Sequence, residues 1–280
     1  MSAIPSDGSR FSAFAPETSR LSASIPIRAP APGRLMHAIH SALAQPAHDE
    51  QIVAGRIVLT PDGRPIRGII TGRRHQVTGS YASRKAGQGL VFESMNEHDF
   101  YQECEVDPRV IDYRAQPFRF EFVLEGQVRR YIPDCVRLLE CGSVEVVEIK
   151  GCSRQLQEPD YAAKLERTKE VCGLLGWRFS VVLAEQIRSP AVRRRNVLLI
   201  QQDRLAAFDE RHVYLARKAI DEAGGEALFG EAAAAIEGPP RGEAILRALM
   251  VARVVEIDLE RPLCAESRVR LHHPQGRHDA

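Results

Sequence analysis

The sequence lacks the long apolar segments of membrane proteins and the leader of secreted proteins. No run of about 18 uncharged apolar residues occurs in the 280-residue chain, which argues against a membrane-spanning helix. The first residues show no basic start followed by an apolar stretch, so a secretory signal is not predicted. We therefore expect a cytoplasmic protein that does not bind membranes.

Motifs that bind zinc through cysteine are missing as well. The six cysteines are scattered along the chain without a CxxC pair, which disfavours a zinc ribbon or finger. The pair His272-His273 has no cysteine or acidic partner at metal spacing. The cysteines are therefore expected to be reduced thiols.

Lysine is scarce, with 5 lysines against 33 arginines, and the formal net charge is only +1. This near-neutral total does not by itself indicate a nucleic-acid-binding protein. Arginine binds phosphate in a bidentate manner and stacks on bases better than lysine does. A GC-rich genome, which favours arginine codons, explains the same bias and stays open as an alternative.

Composition divides the chain into three predicted regions. Residues 1–60 have many Pro, Ser and Ala and few large apolar residues, so a disordered or extended tail is expected, with a short helix allowed around Leu35–Leu43. Residues 61–190 are assigned to a catalytic domain that begins with a basic arm, 64–92. That arm has six basic residues and no acid, as suits a segment lying on phosphates, although a solvated loop would look the same. Residues 191–280 are assigned to a separate domain.

Hydrophobic periodicity predicts an α/β fold for the middle region. An amphipathic helix is predicted over 90–103 and another over 160–175. Strands are predicted over 117–124, 128–138, 143–150 and 177–183, the first from its alternating phenylalanines. This order predicts a mixed β-sheet flanked by helices.

The C-terminal region has a different pattern. Helices are predicted over 207–223, 226–236 and 241–252, followed by short strands over 254–259 and 268–271. Three helices and a β-hairpin are typical of a winged helix. Residues 190–280 contain equal numbers of basic and acidic residues, so we expect this domain to dock on a protein partner while the basic arm supplies most of the DNA affinity.

One set of polar residues carries predicted chemistry. Asp134 lies in the second predicted strand and Glu148 in the third, and Lys150 leaves the same face as Glu148 because strand side chains alternate. Two adjacent carboxylates repel each other unless a divalent cation lies between them. A lysine beside them can hold a phosphate oxygen or a water molecule, so the set favours metal-assisted hydrolysis of a phosphodiester. An exposed strand face with a Pro-Asp turn is the structural alternative.

The residues from about 85 to 200 resemble the endonuclease domain of the TnsA family, the nuclease partner of heteromeric transposases, within the PD-(D/E)xK superfamily. The matching stretches are Phe92-Glu93-Ser94, Glu97, Asp99-Phe100, Gln116-Pro117, Tyr131-Ile132-Pro133-Asp134, Val147-Glu148-Ile149-Lys150, Phe179-Ser180-Val181-Val182, Ile187-Arg188 and Asn196.

The resemblance implies a restriction-endonuclease-like sheet with a winged-helix C-terminal domain. It also implies that catalysis uses Glu93, Asp134, Glu148 and Lys150. Mg²⁺, which Mn²⁺ can replace, would be held by the three acids and the backbone carbonyl of Ile149. The implied partners are duplex DNA at transposon ends, a DDE-type transposase and an AAA+ ATPase regulator. The predicted DNA contacts are Arg73, Arg74, Arg84, Lys85 and Gln116.

Two other functions stay open at this point. A stand-alone restriction, repair or defence nuclease would use the same fold and the same residues. A non-catalytic adaptor of a transposition complex would bind DNA or partners through the C-terminal domain. The intact set of three acids and a lysine argues against the adaptor, because binding alone does not need all four groups.

Overall fold

The computed structural model describes residues 33–44, 55–60, 64–66 and 77–274, which form a mixed α/β protein. Its helices are α1 (Arg34–Ala44), α2 (Met95–Val106), α3 (Pro159–Leu174), α4 (Ala184–Arg188), α5 (Ala191–Asp203), α6 (Glu210–Glu222), α7 (Phe229–Ile236) and α8 (Arg241–Val251). Its strands are β1 (Gly55–Leu59), β2 (Gly79–Ser83), β3 (Gln88–Phe92), β4 (Val110–Ala115), β5 (Phe118–Leu124), β6 (Gln127–Tyr131), β7 (Cys135–Leu139), β8 (Val144–Lys150), β9 (Arg178–Leu183), β10 (Glu226–Leu228), β11 (Val255–Ile257) and β12 (Arg268–Leu271). Within the described ranges no helix is long and apolar enough to cross a membrane.

Four strands form the central sheet in the order β4-β7-β8-β9. β7 is antiparallel to β4 and β8, and β9 is parallel to β8 because α3 carries the chain back between them. Val144 and Val146 of β8 pack on the side of α1 and α3, and Val147 and Ile149 pack on the side of α2. β8 is therefore buried on both faces, and only its last residue, Lys150, is partly exposed.

A second sheet has the order β1-β5-β6 and is antiparallel throughout. Phe118, Phe120 and Phe122 of β5 all face the core, as the alternating pattern predicted. Tyr131 at the end of β6 stacks on Phe120, with ring centroids 6.2 Å apart. This sheet covers the core beside the central sheet and leaves its other face to solvent.

The predicted helix over 90–103 starts too early. Leu90–Phe92 belong to β3, which pairs with β2, and α2 begins only at Met95. Leu90 and Phe92 are buried in the strand, while Met95 at the start of the helix is 43% exposed. The spacing that predicted one helix therefore combines residues of a strand with residues of a helix. The start of the helix is marked by Ser94, whose side chain accepts from the N–H of Glu97.

The predicted strand over 128–138 is two strands that belong to different sheets. β6 ends at Tyr131 and β7 starts at Cys135, with Pro133 and Asp134 between them. Proline has no N–H to donate to a ladder, which ends the first pairing. Strand β4 was not predicted, because the buried polar pair Asp112 and Arg114 interrupts its apolar pattern.

Two segments of the predicted N-terminal tail are ordered. Leu35 and Ile39 of α1 are fully buried against the central sheet, and the N–H of Leu35 donates to Asp112 at 3.0 Å. β1 pairs with β5 along its whole length. The short helix that the tail prediction allowed is present as α1. Residues 55–59 instead form a strand, because a few apolar residues at strand spacing are enough to join an existing core. Residues 1–32 lie outside the described part.

The cations of the predicted basic arm do not all lie at the surface. Residues 67–76, with Arg73 and Arg74, lie outside the described residues. Lys85 is only 2% exposed, and its ammonium donates to two backbone carbonyls at the end of α2. Burial lowers the pKa of Lys85 to about 8. Arg84 donates to the carbonyls of Arg204 and Ala206. Both side chains thus donate to backbone carbonyls of this chain, Lys85 from a buried position and Arg84 from a half-buried one, and their contact with DNA stays a prediction.

The C-terminal part has the order α6-β10-α7-α8-β11-β12, with a small sheet ordered β10-β12-β11. The three predicted helices and the two last strands are present, but residues 226–228 form β10 instead of the first turn of a helix. Helix α8 lies in the interior, where most of its residues are buried between α7 and the helices α2 and α5. Gly242 permits this packing, since a Cβ there would lie 2.0 Å from the carbonyl oxygen of Ala233.

Candidate active site

Asp134 and Glu148 lie side by side at one end of the central sheet. Cys135 is paired with Val147 across β7 and β8, so the next position on each strand brings Asp134 level with Glu148. The N–H of Ile149 donates to Asp134 Oδ2 at 2.8 Å, which fixes this carboxylate against β8. The predicted juxtaposition of the two carboxylates is present.

The carboxylate of Glu148 is held by three groups. The hydroxyl of Tyr131 donates to Oε2, and the hydroxyl of Tyr161 donates to Oε1. The ammonium of Lys150 forms an ion pair with Oε1. Glu148 is only 2% exposed, so these partners replace the water that an ionised carboxylate requires.

The two tyrosines were not predicted as parts of the site. Tyr131 occurs among the stretches that resemble the family, and Tyr161 lies in the helix predicted over 160–175, but neither is among the predicted catalytic residues. Burial, together with the charge of Glu148, raises the pKa of each phenol above its ordinary value, so both remain donors at neutral pH. The register of β5 and β6 pairs Tyr131 with Phe120, which places Tyr131 on the core side of β6.

Burial raises the pKa of Asp134 well above its usual range, and the negative charges of Glu148 and Glu97 raise it further. The positive charge of Lys150 and the hydrogen bond from Ile149 oppose this shift without cancelling it. Asp134 therefore binds a proton, or another cation, more readily than an ordinary aspartate does.

Lys150 keeps its charge in this environment. The adjacent carboxylates of Glu148 and Asp134 outweigh the effect of burial and raise the pKa of Lys150 above its ordinary value. Its Nζ also lies over the ring of Tyr161, 5.2 Å from the ring centroid, in a cation–π contact. Lys150 is therefore a fixed cation and not a base at neutral pH.

Glu93 does not lie on a helix, as was predicted, but in the connection between β3 and α2. Its N–H donates to Glu97 Oε2 at 2.9 Å. Glu97, in the first turn of α2, is 6% exposed, and burial raises its pKa, with smaller contributions from Glu93 and Glu148. The acid of α2 that interacts with the strand carboxylates is thus Glu97, which was noted only as part of the family motif.

The donor atoms at this site suit a magnesium ion. Mg²⁺ prefers oxygen ligands, usually takes one or two carboxylates from a protein and keeps several water molecules. Asp134 and Glu148 supply two carboxylates, and their mutual repulsion would be relieved by a cation. Within the described ranges no group of three or more His, Cys, Asp or Glu side chains is gathered as a ligand set, so Glu93 is not brought into one with them.

Gln116, predicted to contact DNA, is 1% exposed. Its backbone adopts a left-handed conformation with φ 47°, its N–H donates to the carbonyl of Asp134 at 3.3 Å, and its carbonyl accepts from the N–H of Ile66. Gln116 is thus a buried residue that ties the start of β5 to the Pro133-Asp134 segment, and its contact with DNA stays a prediction.

Two lysines of α3 have different surroundings. Lys164 is 22% exposed at its side chain, and its Nζ lies 5.9 Å from the ring of Tyr161, on the helix face toward the site. Lys169 is 62% exposed and pairs with Glu166 at 3.4 Å on the solvent side. Only Lys164 lies next to a residue that contacts Glu148.

One family model matches the stretch of the chain that contains these residues. Residues 107–184 match the family model described as "TnsA-like endonuclease N terminal". The matched stretch contains Asp134, Glu148 and Lys150 as well as both tyrosines, and it ends where β9 ends. A search of curated proteins finds no match. The match covers the central sheet and α3, and it leaves out Glu93, Glu97 and the C-terminal part.

Replacing Asp134 by Asn should stabilise the metal-free protein at alkaline pH. An acid whose folded-state pKa is raised contributes stability below its unfolded pKa of about 4, and this stability is lost as pH rises through the folded pKa. Asparagine has no such proton to lose and can still accept from Ile149. In EDTA at pH 8 we expect the midpoint of thermal unfolding to rise by about 2 °C or more.

The same melting curves at pH 5 provide the control. There the gain from Asp134→Asn should be smaller, because wild-type Asp134 is closer to its protonated form. A difference between variant and wild type that stays constant from pH 5 to pH 8 would contradict the raised pKa.

Proposed function

We propose that the protein is a magnesium-dependent DNA endonuclease that hydrolyses phosphodiester bonds at transposon ends together with a DDE-type transposase. The observation that carries the proposal is the placement of Asp134, Glu148 and Lys150 at one end of the central sheet, inside the stretch that matches the TnsA-like endonuclease model. The sheet order, with three antiparallel neighbours and a parallel fourth strand, supports a restriction-endonuclease-like fold.

Asp134, Glu148 and the carbonyl of Ile149 would hold the cation. When bound, Mg²⁺ supplies stabilisation of the negative charge that develops on the phosphate as water attacks. The chain itself orients the carboxylates: Ile149 fixes Asp134 through its N–H, and Tyr131 fixes one oxygen of Glu148 from a fully packed position. The other oxygen of Glu148 is shared by Tyr161 and Lys150, which would have to yield it to the cation.

Lys150 would act on the substrate as a cation. In the cation-free structure the charges of Glu148 and Asp134 raise its pKa, so it can donate to a phosphate oxygen or orient the attacking water. A positive charge that is already in place where negative charge develops stabilises the transition state. The protein then does not have to rearrange during the reaction, which lowers the activation barrier.

The C-terminal part is proposed to be a winged-helix-like domain that docks on proteins. Its element order, α6-β10-α7-α8-β11-β12, supports this topology. The third helix of such a domain ordinarily enters the major groove. Here that helix is α8, and most of it is buried against α2, α5 and α7. A partner surface, such as that of an AAA+ ATPase regulator, is therefore a better occupant of the exposed faces of this domain than the DNA groove.

Cleavage of duplex DNA in Mg²⁺ or Mn²⁺ is the direct test. Asp134→Ala and Glu148→Ala should each abolish cleavage, because each removes a carboxylate that would hold the cation. Lys150→Ala should reduce the single-turnover rate about 10²–10³-fold while DNA binding persists. Glu166→Ala, which changes an exposed carboxylate on α3, is the control and should cleave like wild type.

The assay should also be run with the purified DDE-type transposase that the proposal names as the partner, because cleavage can require it. A folded Asp134→Ala or Glu148→Ala protein that cleaves at nearly the wild-type rate would show that the site is assigned wrongly. Folding of each variant is checked by circular dichroism.

Lys164 is proposed to bind a phosphate next to the scissile one. Lys164→Ala should weaken DNA binding and lower the slope of log affinity against log salt by about one. Lys169→Ala removes the same charge from the same helix on its solvent side, and should leave both quantities nearly unchanged. Equal effects of the two substitutions would mean that Lys164 contributes only net charge.

A further inference from the structure

The solvent face of the β1-β5-β6 sheet has a cluster of arginines that the site described above does not use. The inward phenylalanines of β5 place Arg119 and Glu121 on the outer face. In the strand register Glu121 lies opposite Arg56 of β1 and opposite Arg130 of β6. Arg56, Glu121 and Arg130 thus form one row across all three strands, with Arg119 two residues from Glu121 on the same face. We call these three arginines and Glu121 the arginine face.

All three guanidinium groups converge on the single carboxylate of Glu121. The distances to its oxygens are 2.6 Å from Arg56 Nε, 2.6 Å from Arg119 Nη2 and 3.4 Å from Arg130 Nε. The Glu121 side chain is only 5% exposed, whereas those of Arg56 and Arg130 are 73% and 69% exposed. One covered carboxylate therefore orients three arginines, and two positive charges remain in excess at the surface.

This arrangement suits the phosphates of a nucleic acid. A guanidinium group that hydrogen-bonds to a carboxylate through one edge still has other N–H donors for a phosphate oxygen. The carboxylate also fixes the orientation of the guanidinium group. The row crosses three strands, so it is about 10 Å wide and flat. An anionic strand laid along it would meet a line of oriented donors.

The arginine face and the residue that holds Glu148 lie on opposite faces of the same strand, β6. Arg130 precedes Tyr131, the residue whose hydroxyl holds Glu148, and Asp134 follows three residues later. Acidic protein segments would also be attracted to arginines, but the excess positive charge and the row of oriented guanidinium groups suit the regularly spaced phosphates of DNA.

We propose that the arginine face binds the phosphate backbone of the DNA duplex on which the protein acts. The statement that this duplex is the substrate rests on the proposed function. The proposal assigns to Arg56, Arg119 and Arg130 the role that the sequence alone suggested for Lys85 and Gln116.

The test measures DNA affinity without cleavage. The full-length double variant Arg56→Gln/Arg130→Gln keeps most of the aliphatic stem of each side chain. Its binding to a labelled nonspecific duplex is followed by fluorescence anisotropy in EDTA, from about 50 to 200 mM salt. We expect affinity to fall at least tenfold at about 100 mM salt and the salt slope to fall by about two.

The matched control is Arg268→Gln/Arg270→Gln. These two arginines also lie on a strand, β12, have side chains that are each 66% exposed, and pair with Glu226 and Glu256. The control should bind DNA within about twofold of wild type. Unchanged binding by the Arg56/Arg130 variant, or equal losses in both double variants, would overturn the proposal.

Two further measurements separate the possible failures. Arg56→Lys/Arg130→Lys retains the charges and should retain the salt slope, and melting curves show whether the glutamine variant is folded. If wild type never cleaves but the glutamine variant loses DNA binding, the proposed function fails and the arginine face stands. If wild type cleaves and the folded glutamine variant binds normally, the arginine face fails and the function stands.

Discussion

The repulsion between two carboxylates, Asp134 and Glu148, is the constraint on which the candidate site depends. The antiparallel register of β7 and β8 places both at one end of a buried sheet, where water cannot fully solvate them. A backbone N–H donates to Asp134, and two phenol hydroxyls and an ammonium group contact Glu148, which partly offsets this repulsion. Even so, the pKa of Asp134 stays raised, which means that the folded chain favours an added positive charge there.

Every element around this pair contributes to its position. Pro133 ends β6 and allows the chain to change sheets, so that Asp134 enters β7 at the level of Glu148. Gln116 fixes the same segment from the start of β5 through a backbone hydrogen bond. α3, which makes β8 and β9 parallel neighbours, brings Tyr161 over Glu148. The fold therefore brings the two charges together and supplies their partners at once.

The sequence predicted the parts of this arrangement that depend on local periodicity. Alternation along 143–150 correctly placed Glu148 and Lys150 on one face and Ile149 on the other. The helix over 160–175 and the strand over 177–183 were correct within two residues. These predictions were correct because a helix or strand with a buried face has apolar residues at regular spacing along the sequence.

Contacts between distant residues were not predictable in this way. Lys85 looks like a surface cation in the sequence, and only the tertiary structure shows that it satisfies carbonyls at the end of α2. The arginine face depends on the register of three strands, one of which lies in a segment assigned to a tail. Likewise, α8 has the periodicity of any amphipathic helix, and its burial against α2 and α5 follows from how the C-terminal part docks.

Binding of a divalent cation by the metal-free protein tests the central claim most directly. Mn²⁺ can be titrated into the wild-type chain and into Glu148→Gln, and the free ion followed by electron paramagnetic resonance. We expect wild type to bind Mn²⁺ and the variant, which keeps the size of the side chain but loses its charge, to bind it at least about tenfold more weakly. Equal binding by the two proteins would contradict the assignment of Asp134 and Glu148 as a cation site.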